Sequence, residues 1–460
     1  MPSHYSNTPT HEVSFNKRKD FYEEIHSSEL PNYEPATYGS EYTMITPTSA
    51  ETFPGSTDKI KLSPSEIIYG KNPLEHWREQ YEVRQSYCEL MYHLAKNSFG
   101  PVISMVINLL VQVINVYFIG NTNDVVQLAG VGMGSMLVNV CALAPTYGLN
   151  TALQSMVSQA YGASQKLDCS LDERQRLRNQ CGLIFNKSRF VCTVMLAVVF
   201  IFFLYSETIL HSIGEDPRVS KIARQYALWL MPGIWAMAIY DGSKKLLNAV
   251  YLNDIPVYTQ SLTVLLHILW CWLFVHMLKW GYVGVILATN ITYILNMVLT
   301  ELCIRRKQDS VMQNMIVPLD HSCYTNLNSY LQEGLPAMIL SCFEWWIWEI
   351  LAIFTGLLGV DQLAADIIFS KLTGFLFMIP LGIGFAASSM VGNSLGQGRI
   401  ELAKRYADAA LFLSTFLMTI IVYFLHEFPD WVTTFFTRNE SVSKVMKNLL
   451  WLILAHLWVN

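Results

Sequence analysis

Charged residues are scarce in this chain. They make up 15% of its 460 residues, whereas 52% are hydrophobic. Apolar runs of about 20 residues recur, and each is long enough to cross a hydrocarbon core of about 30 Å. This composition excludes a string of soluble domains and predicts an all-α polytopic membrane protein. The net charge of −5 is small and says little about partners. We expect the lipid bilayer as a partner and no nucleic acid.

Catalytic and metal-binding patterns are also missing. The nine cysteines are odd in number and include no CxxC pair, so we expect neither a disulfide framework nor a metal cluster. We find no HExxH, no GxSxG and no nucleotide-binding glycine loop. The sequence therefore predicts a protein that is not an enzyme and needs no cofactor. The first 20 residues lack an apolar core, so the first membrane helix is expected to direct insertion itself.

The hydrophobic part of the chain contains a repeat. Residues 148–162 read GLNTALQSMVSQAYG, and residues 382–396 read GIGFAASSMVGNSLG. The identical pairs are Gly148/Gly382, Ala152/Ala386, Ser155/Ser389, Met156/Met390, Val157/Val391 and Gly162/Gly396. The offset is about 234 residues, and Pro101 and Pro336 keep it approximately. Two related halves in a hydrophobic chain are typical of secondary transporters.

The chain divides into a polar N-terminal part and a hydrophobic remainder. We predict a disordered cytosolic tail over 1–70, an amphipathic interfacial helix over 71–97, a first six-helix lobe over 98–303, a cytosolic inter-lobe linker over 304–333 and a partial second lobe over 334–460. The ten expected spans are 98–119, 125–153, 182–206, 226–242, 256–277, 281–303, 334–356, 364–390, 406–425 and 445–459. The fourth is short, and Pro145 and Pro232 are expected to kink their spans.

Basic residues alternate between the predicted loops. The loops after spans two, four, six and eight are rich in Lys and Arg, whereas 120–124 and 357–363 contain neither. The positive-inside rule therefore predicts that the N-terminus faces the cytosol. The repeat gives six spans in the first half and four in the second, so two spans are absent by this internal comparison. We expect a truncated product or an incomplete gene model.

Two acidic residues lie inside the seventh predicted span. Glu344 is ten residues past Gly334, which places it about 15 Å into the membrane, near the midplane. Glu349 lies about 7.5 Å further, and the two point about 140° apart around a helix, so one shared face is not expected. Ionisable groups at such depth are candidates for function. A carboxylate there either binds a proton or a cationic substrate, or is structural and held by neighbouring hydroxyls and amides.

Other polar groups accompany these acids. Trp345, Trp346 and Trp348 either offer cation–π walls or simply pack. Lys371 in span eight is placed to pair with Glu349 or Glu344, which would keep that carboxylate charged. In the first half the midspan polar residues are Gln112, Asn115, Asn139 and His267, for which substrate contact and interhelical hydrogen bonding remain open. Asp241, Lys244 and Lys245 are expected to be solvated at the cytosolic mouth.

At these residues the chain resembles the eukaryotic branch of the multidrug and toxic compound extrusion (MATE) family. The segments that carry the likeness are Tyr147–Ser164, Gly214–Gly233, Glu333–Gly356 with its EWWIWE core and Met378–Lys404, and the likeness covers 90–460. It implies twelve spans in two six-helix lobes around a V-shaped cleft. It also implies cation-coupled efflux, with protons the usual coupling ion and sodium the alternative.

The resemblance assigns roles to single residues. It makes Glu344 the central binding and coupling residue and adds Glu349, with Gln112 and Asn139 as matching polar positions of the first lobe. Asn115 stands where bacterial relatives often carry an essential aspartate, so a proton site of that kind is not expected there. Lys371 departs from the family, because animal members have a glutamate and plant members a neutral residue at this position.

Three functional hypotheses follow. The leading one is an antiporter that exports organic cations, xenobiotics or amphipathic metabolites in exchange for protons, with substrate contacts from Glu344, Glu349, Gln112, Asn139, Lys371 and Trp345. The second is a lipid or glycolipid flippase of a related two-lobe fold, for which a basic cavity is expected. The third is a non-transporting truncated membrane protein. For a complete chain we expect a monomer in the plasma membrane or in a vacuolar or vesicular membrane.

Overall fold

The fold is known from a computed structural model. It describes residues 86–122, 124–166, 168–307, 311–358 and 360–430, together with Lys444, Lys447 and Trp451. Every regular element within these residues is helical, as the composition predicts. The predicted tail over 1–70, the first part of the predicted interfacial helix and nearly all of the span predicted over 445–459 lie outside the described residues.

The described helices form two groups. The N-terminal bundle comprises α1 Tyr87–Gly120, α2 Val125–Val138, the π-helical segment π1 Asn139–Leu143, α3 Ala144–Ala163, α4 Leu171–Ile213, α5 Pro217–Ala249, α6 Asp254–Cys271, the π-helical segment π2 Trp272–Met277 and α7 Tyr282–Arg306. A 3₁₀ turn at His321–Cys323 leads into the C-terminal bundle, which comprises α8 Leu327–Leu358, α9 Val360–Gly396 and α10 Ile400–Glu427.

Seven of the described helical segments are long and apolar enough to cross a membrane. They coincide with the predicted spans one, two, three, five, six, eight and nine, and the predicted spans four and seven coincide with α5 and α8. The outer face of α10 carries exposed Leu411, Phe412, Phe416, Ile420 and Tyr423. A continuous apolar face of this kind suits contact with lipid. The chain is therefore a multi-pass integral membrane protein.

Two expectations about helix ends are corrected. Residues 87–97 belong to α1, which continues without a break to Gly120, so the predicted helix does not end at 97, and its place at the membrane interface stays a prediction. The helix of the fourth predicted span, α5, covers 33 residues from Pro217 to Ala249 and extends past the predicted limits 226–242 at both ends. Charged residues stand at both ends of that helix. Limits that are drawn from apolar residues alone stop at these charges and therefore make the helix too short.

Local chemistry explains where the long helices begin and end. Ser170 precedes α4 and its hydroxyl accepts a hydrogen bond from the backbone N–H of Glu173 at 3.2 Å, which is a standard N-cap. Gly214 ends the same helix with φ of 104°, a conformation that glycine adopts without a steric penalty. Asp216 then caps α5, and hydrogen bonds from Arg218 hold the pKa of its carboxyl below the usual value.

The prolines predicted to kink spans lie at irregular positions. Pro145 lies two residues after the end of π1, and π-helical segments often occur at helix kinks and at functional sites. Next to Pro232, the Asn290 side chain of α7 accepts from the Gly233 N–H at 2.6 Å and donates to the Trp229 carbonyl at 2.9 Å. Asn290 thus bridges two backbone groups that an unbroken helix would join, and it fastens α7 to α5.

Candidate functional site

The two bundles meet where the two copies of the repeat pack against each other. The Gln154 side-chain amide of α3 donates to the Phe385 carbonyl at 2.7 Å and to Ser389 Oγ at 2.9 Å, both on α9. A Cβ added at Gly162 would lie 2.7 Å from Asn393 Cα, which is too close for any side chain. A Cβ at Gly396 of the other copy would overlap the Gln159 carbonyl oxygen, so each copy of the repeat supplies a small residue at this contact.

A second line of contacts joins α3 and π1 to α8. Tyr330 donates its hydroxyl to the Leu149 carbonyl at 2.7 Å. Further along, the rings of Tyr147 and Trp345 lie 5.5 Å apart, and Trp346 Nε1 donates to the Val140 carbonyl at 3.0 Å. We call Tyr147, Trp345 and Trp346 the aromatic cluster. It connects the two bundles near the middle of the predicted spans.

The sequence-predicted acids lie beside this cluster on α8. Glu344 is exposed and Glu349 is half-buried. Around the helix, Trp345 lies about 100° from Glu344 and about 40° from Glu349. Trp346 lies a further 100° round, so Glu349 is on the side of α8 that carries both contacts to the N-terminal bundle, whereas Glu344 points about 140° away from Glu349. The exposure of the two carboxylates differs accordingly, since Glu344 is exposed and Glu349 is half-buried.

The predicted polar residues of the first half are near the same cluster. Gln112 and Asn139 are both half-buried. Gln112 follows Asn108 by one helical turn, and Asn108 donates weakly to Tyr147 Oη at 3.5 Å. Asn139 opens π1, next to the Val140 carbonyl that holds Trp346. Trp345 is thus at the contact between α8 and the N-terminal bundle, and Asn139 is next in sequence to the residue that Trp346 contacts. A single site formed by them with Gln112 and the α8 acids stays a prediction.

Sequence reasoning missed two members of this region, Asn108 and Tyr147. Asn108 is a polar residue within a span, four residues before Gln112, so a polar stripe along α1 was the available signal. Tyr147 is the first residue of a motif that carries the family resemblance, but the sequence around it does not predict a contact with an aromatic residue of the other bundle. The side chain of Lys371 lies outside the described part of α9. Pairing of Lys371 with Glu344 or Glu349 therefore stays a prediction.

A buried hydrogen-bond network accounts for the other midspan groups. Asn115 donates to Thr289 Oγ1 at 3.0 Å and lies 3.0 Å from His267 Nε2 through its Oδ1. The other ring nitrogen of His267 is 2.9 Å from Thr292 Oγ1. Both ring nitrogens and both amide atoms thus have partners. This arrangement favours the interhelical hydrogen-bonding alternative for Asn115 and His267.

One expectation about charge is wrong. Asp241, Lys244 and Lys245 are not solvated, because their exposed fractions are 0%, 1% and 1%. Lys244 Nζ lies 3.1 Å from Asp241 Oδ1, and Asn150 donates to Asp241 Oδ2 at 3.0 Å. Lys245 Nζ lies 3.0 Å from the centroid of the Phe385 ring. The three residues are covered because α5 continues to Ala249 and packs against α3 and α9 there.

These features define a class of protein. The chain is a multi-pass helical membrane protein with an internal repeat. Its two bundles meet through small residues, and polar groups lie at their interface. This is the architecture of a secondary carrier. Residues 101–273 and 336–459 match the MatE family model, and the chain belongs to this family.

Curated relatives indicate the eukaryotic type of the family. The chain is 29% identical over 306 residues to Protein DETOXIFICATION 1 of Arabidopsis thaliana, which covers 66% of this chain and 61% of the relative. It is 26% identical over 333 residues to Multidrug and toxin extrusion protein 1 of Oryctolagus cuniculus, covering 72% and 56%. The chain thus spans about three fifths of the length of these curated relatives.

Solved structures share the two-lobe fold. The crystal structure of the eukaryotic MATE transporter AtDTX14 matches with a TM-score of 0.71 and 20% identity, covering 81% of this chain and 80% of that one. The Vibrio cholerae MATE transporter VcmN in its bent form matches with a TM-score of 0.67 and 18% identity, covering 81% of each chain. At these identities the likeness concerns the fold alone.

Proposed function

We propose that this protein is a secondary active antiporter that exports small amphipathic or cationic organic compounds in exchange for protons. The observation that carries the proposal is the position of Glu344, an exposed carboxylate in the middle of α8, next to Trp345, which contacts the other bundle. An acidic group at this depth is costly to keep in a membrane unless it serves the transport cycle.

The contacts between the bundles support a mechanism of alternating access. With the N-terminus on the cytosolic side, α3 runs toward the cytosol and α8 begins there. The contacts of Leu149 with Tyr330 and of Gln154 with Ser389 then lie on the cytosolic side of the aromatic cluster. In this conformation the cytosolic end is closed. Opening that end and closing the other would expose the region around Glu344 to each side in turn.

Coupling follows from competition for one carboxylate. A proton and a cationic substrate cannot both occupy Glu344, so protonation from the outside displaces the substrate there, and proton release to the cytosol restores the site. Glu349, Gln112 and Asn139 complete the substrate contacts in this proposal, and Trp345 offers an aromatic surface to a cation. Sodium is the alternative coupling ion. An ion pair between Lys371 and one of the acids would instead favour substrates that carry negative charge.

The names of the relatives support efflux as the direction of transport, since they refer to detoxification and to multidrug and toxin extrusion. We propose the plasma membrane or a vacuolar or vesicular membrane as the location, with a monomer as the working unit. The lobe boundaries at 98–303 and 334–460, joined by the linker 304–333, belong to the same proposal.

The test is efflux driven by a pH gradient in cells that express the protein. Glu344→Gln should reduce the rate at least tenfold while the amount of protein in the membrane stays the same. Glu333→Gln is the matched control, because Glu333 is an exposed acid on the same helix, three turns closer to the predicted cytosolic end. Efflux retained by Glu344→Gln, or lost equally in both variants, contradicts the assignment.

A further inference from the structure

One stripe of α5 carries polar groups that the proposed cycle does not use. Asp241, Lys244, Lys245 and Asn248 lie within an arc of about 100° on the helix, and none is more than 3% exposed. Such a stripe normally faces water, since Lys and Asp are almost never fully buried unless they are paired. Here it lies inside the protein, where α3 and α9 cover it.

The charges of this stripe do not balance. Asp241 forms an ion pair with Lys244 and also accepts from Asn150, so one carboxylate faces two ammonium groups. Among the described residues, Lys245 Nζ and Asn248 Nδ2 have no hydrogen-bond acceptor. The other nearby acid, Glu301, already accepts from Ser243 and pairs with Arg189. Within the described part of the chain, Lys244 Nζ and Asp241 Oδ1 likewise have only their ion pair and no hydrogen bond. One positive charge is left over, with the Lys245 and Asn248 donors beside it, and leaving such groups unpaired in a protein interior is costly.

What covers Lys245 belongs to the other bundle. The ring of Phe385 on α9 lies over the Lys245 ammonium, and Gln154 of α3 holds the Phe385 carbonyl. A cation over an aromatic face is a favourable contact, yet it supplies no hydrogen-bond acceptor. Because Phe385 and Lys245 are on different bundles, the cover leaves when the cytosolic ends of the bundles part. Lys245 and Asn248 then face the opened cytosolic cleft side by side.

We propose that Lys245, assisted by Asn248, is the cytosolic recognition site for the negatively charged group of a substrate, and that Phe385 masks this site when the cytosolic end closes. This inference rests on the proposed function, because it requires the two bundles to alternate. The ligand that fits is an amphipathic monoanion bearing a carboxylate or a phosphate diester. One negative charge cancels the surplus positive charge, and its oxygen atoms accept from both free donors.

Masking also explains how the substrate would leave the site. As the bundles close, the aromatic face of Phe385 replaces the oxyanion at Lys245, so the anion loses its partner when the path to the outside opens. In the closed state the cation–π contact with the aromatic ring stabilises the buried ammonium, but less than an ion pair with an oxyanion would. The anionic group has two candidate sources, a water-soluble organic acid or the headgroup of a phospholipid.

The experiment uses everted membrane vesicles with an imposed pH gradient, so that the cytosolic side takes up the probe. The probes are p-aminohippurate, an aromatic monocarboxylate, and tetraethylammonium, a cation without an acidic group. Lys245→Gln should raise the KM for p-aminohippurate by about tenfold to a hundredfold, the range of one charge-assisted hydrogen bond. The KM for tetraethylammonium should change less than twofold. Lys245→Arg should restore most of the affinity for the anion.

Controls distinguish anion binding by Lys245 from a role of Lys245 only in closing the cytosolic end. Lys404→Gln, at an exposed lysine that pairs with Glu401, should leave both KM values unchanged. A role of Lys245 in closure alone would alter kcat for both probes together, and that result overturns the proposal. Uptake of tetraethylammonium without any uptake of p-aminohippurate by the unmodified protein also overturns it, while the antiporter assignment stands.

Equilibrium binding of p-aminohippurate tests the site in the case where no transport is observed. If the unmodified protein moves neither probe, the antiporter assignment fails, and equilibrium binding of p-aminohippurate to the purified protein decides about the site separately. No binding, or binding that Lys245→Gln leaves intact, overturns the site. In liposomes, Lys245-dependent movement of labelled phosphatidylserine without binding of p-aminohippurate would assign the oxyanion to a lipid headgroup and overturn recognition of a soluble acid.

Discussion

The buried charges on α5 lead to a prediction about stability. Asp241→Asn keeps the shape of the side chain and removes its charge, so Lys244 and Lys245 are left buried together without a carboxylate. Removing one partner of a buried ion pair typically costs about 3–5 kcal/mol. At about 1 °C per kcal/mol for a chain of this size, Tm should fall by about 3–5 °C. Lys245→Met, next to the same pair, removes the surplus charge and keeps the apolar stem under Phe385. Its Tm should therefore equal or exceed that of the unmodified protein.

The assay is thermal unfolding of the purified protein in detergent, followed by a thiol-reactive dye that reports exposure of buried cysteines such as Cys181 and Cys192. The double variant Asp241→Asn with Lys245→Met should recover part of the lost stability, because one buried charge replaces two. Glu401→Gln, at an exposed ion pair, should change Tm by less than about 1 °C. An unchanged Tm in Asp241→Asn, or an equal fall in Lys245→Met, would refute the reasoning.

Further predictions concern the contacts between the bundles. Trp346→Phe removes the hydrogen bond to the Val140 carbonyl and should cost about 1 kcal/mol, seen as a lower Tm; a Tm equal to that of the unmodified protein would mean that this bond adds no stability. Gly382→Ala adds a Cβ 2.6 Å from Val102 Cα, so it should cost about 1–3 kcal/mol and loosen the packing of α9 on α1. Gly384→Ala, where nothing lies within 4 Å, is its control, and equal effects of the two would contradict the close packing.

Much of the fold could be predicted because the internal repeat and the lengths of the apolar segments can be recognised in the sequence itself. Pro101 and Pro336 lie inside the first helix of their bundles, and the repeated segments at 148–162 and 382–396 lie in α3 and α9. Membrane spans are recognised by length and apolarity, which is a local property. Glu344 and Trp345 could likewise be selected from sequence, since an acid within an apolar span is rare.

Other features depend on residues far apart in the chain. The burial of Lys244 and Lys245 could not be foreseen, because short-range patterns place two lysines and an aspartate at the end of a span, where water normally reaches them. Their cover comes from Phe385, on a helix of the other bundle. In the same way, Asn290 on another helix forms hydrogen bonds with the backbone groups of Gly233 and Trp229 next to Pro232. Sequence patterns indicate which residues are unusual, whereas packing decides which of them meet.

The central claim is that substrate and protons exchange through Glu344, and the most direct measurement is substrate-induced proton movement in liposomes containing the purified protein. A pH-sensitive dye is enclosed, and tetraethylammonium is added to one side without any imposed gradient. The account predicts proton movement opposite to the substrate in the unmodified protein and in Glu333→Gln, and none in Glu344→Gln. Substrate movement without proton movement, or equal proton movement in Glu344→Gln, would contradict it.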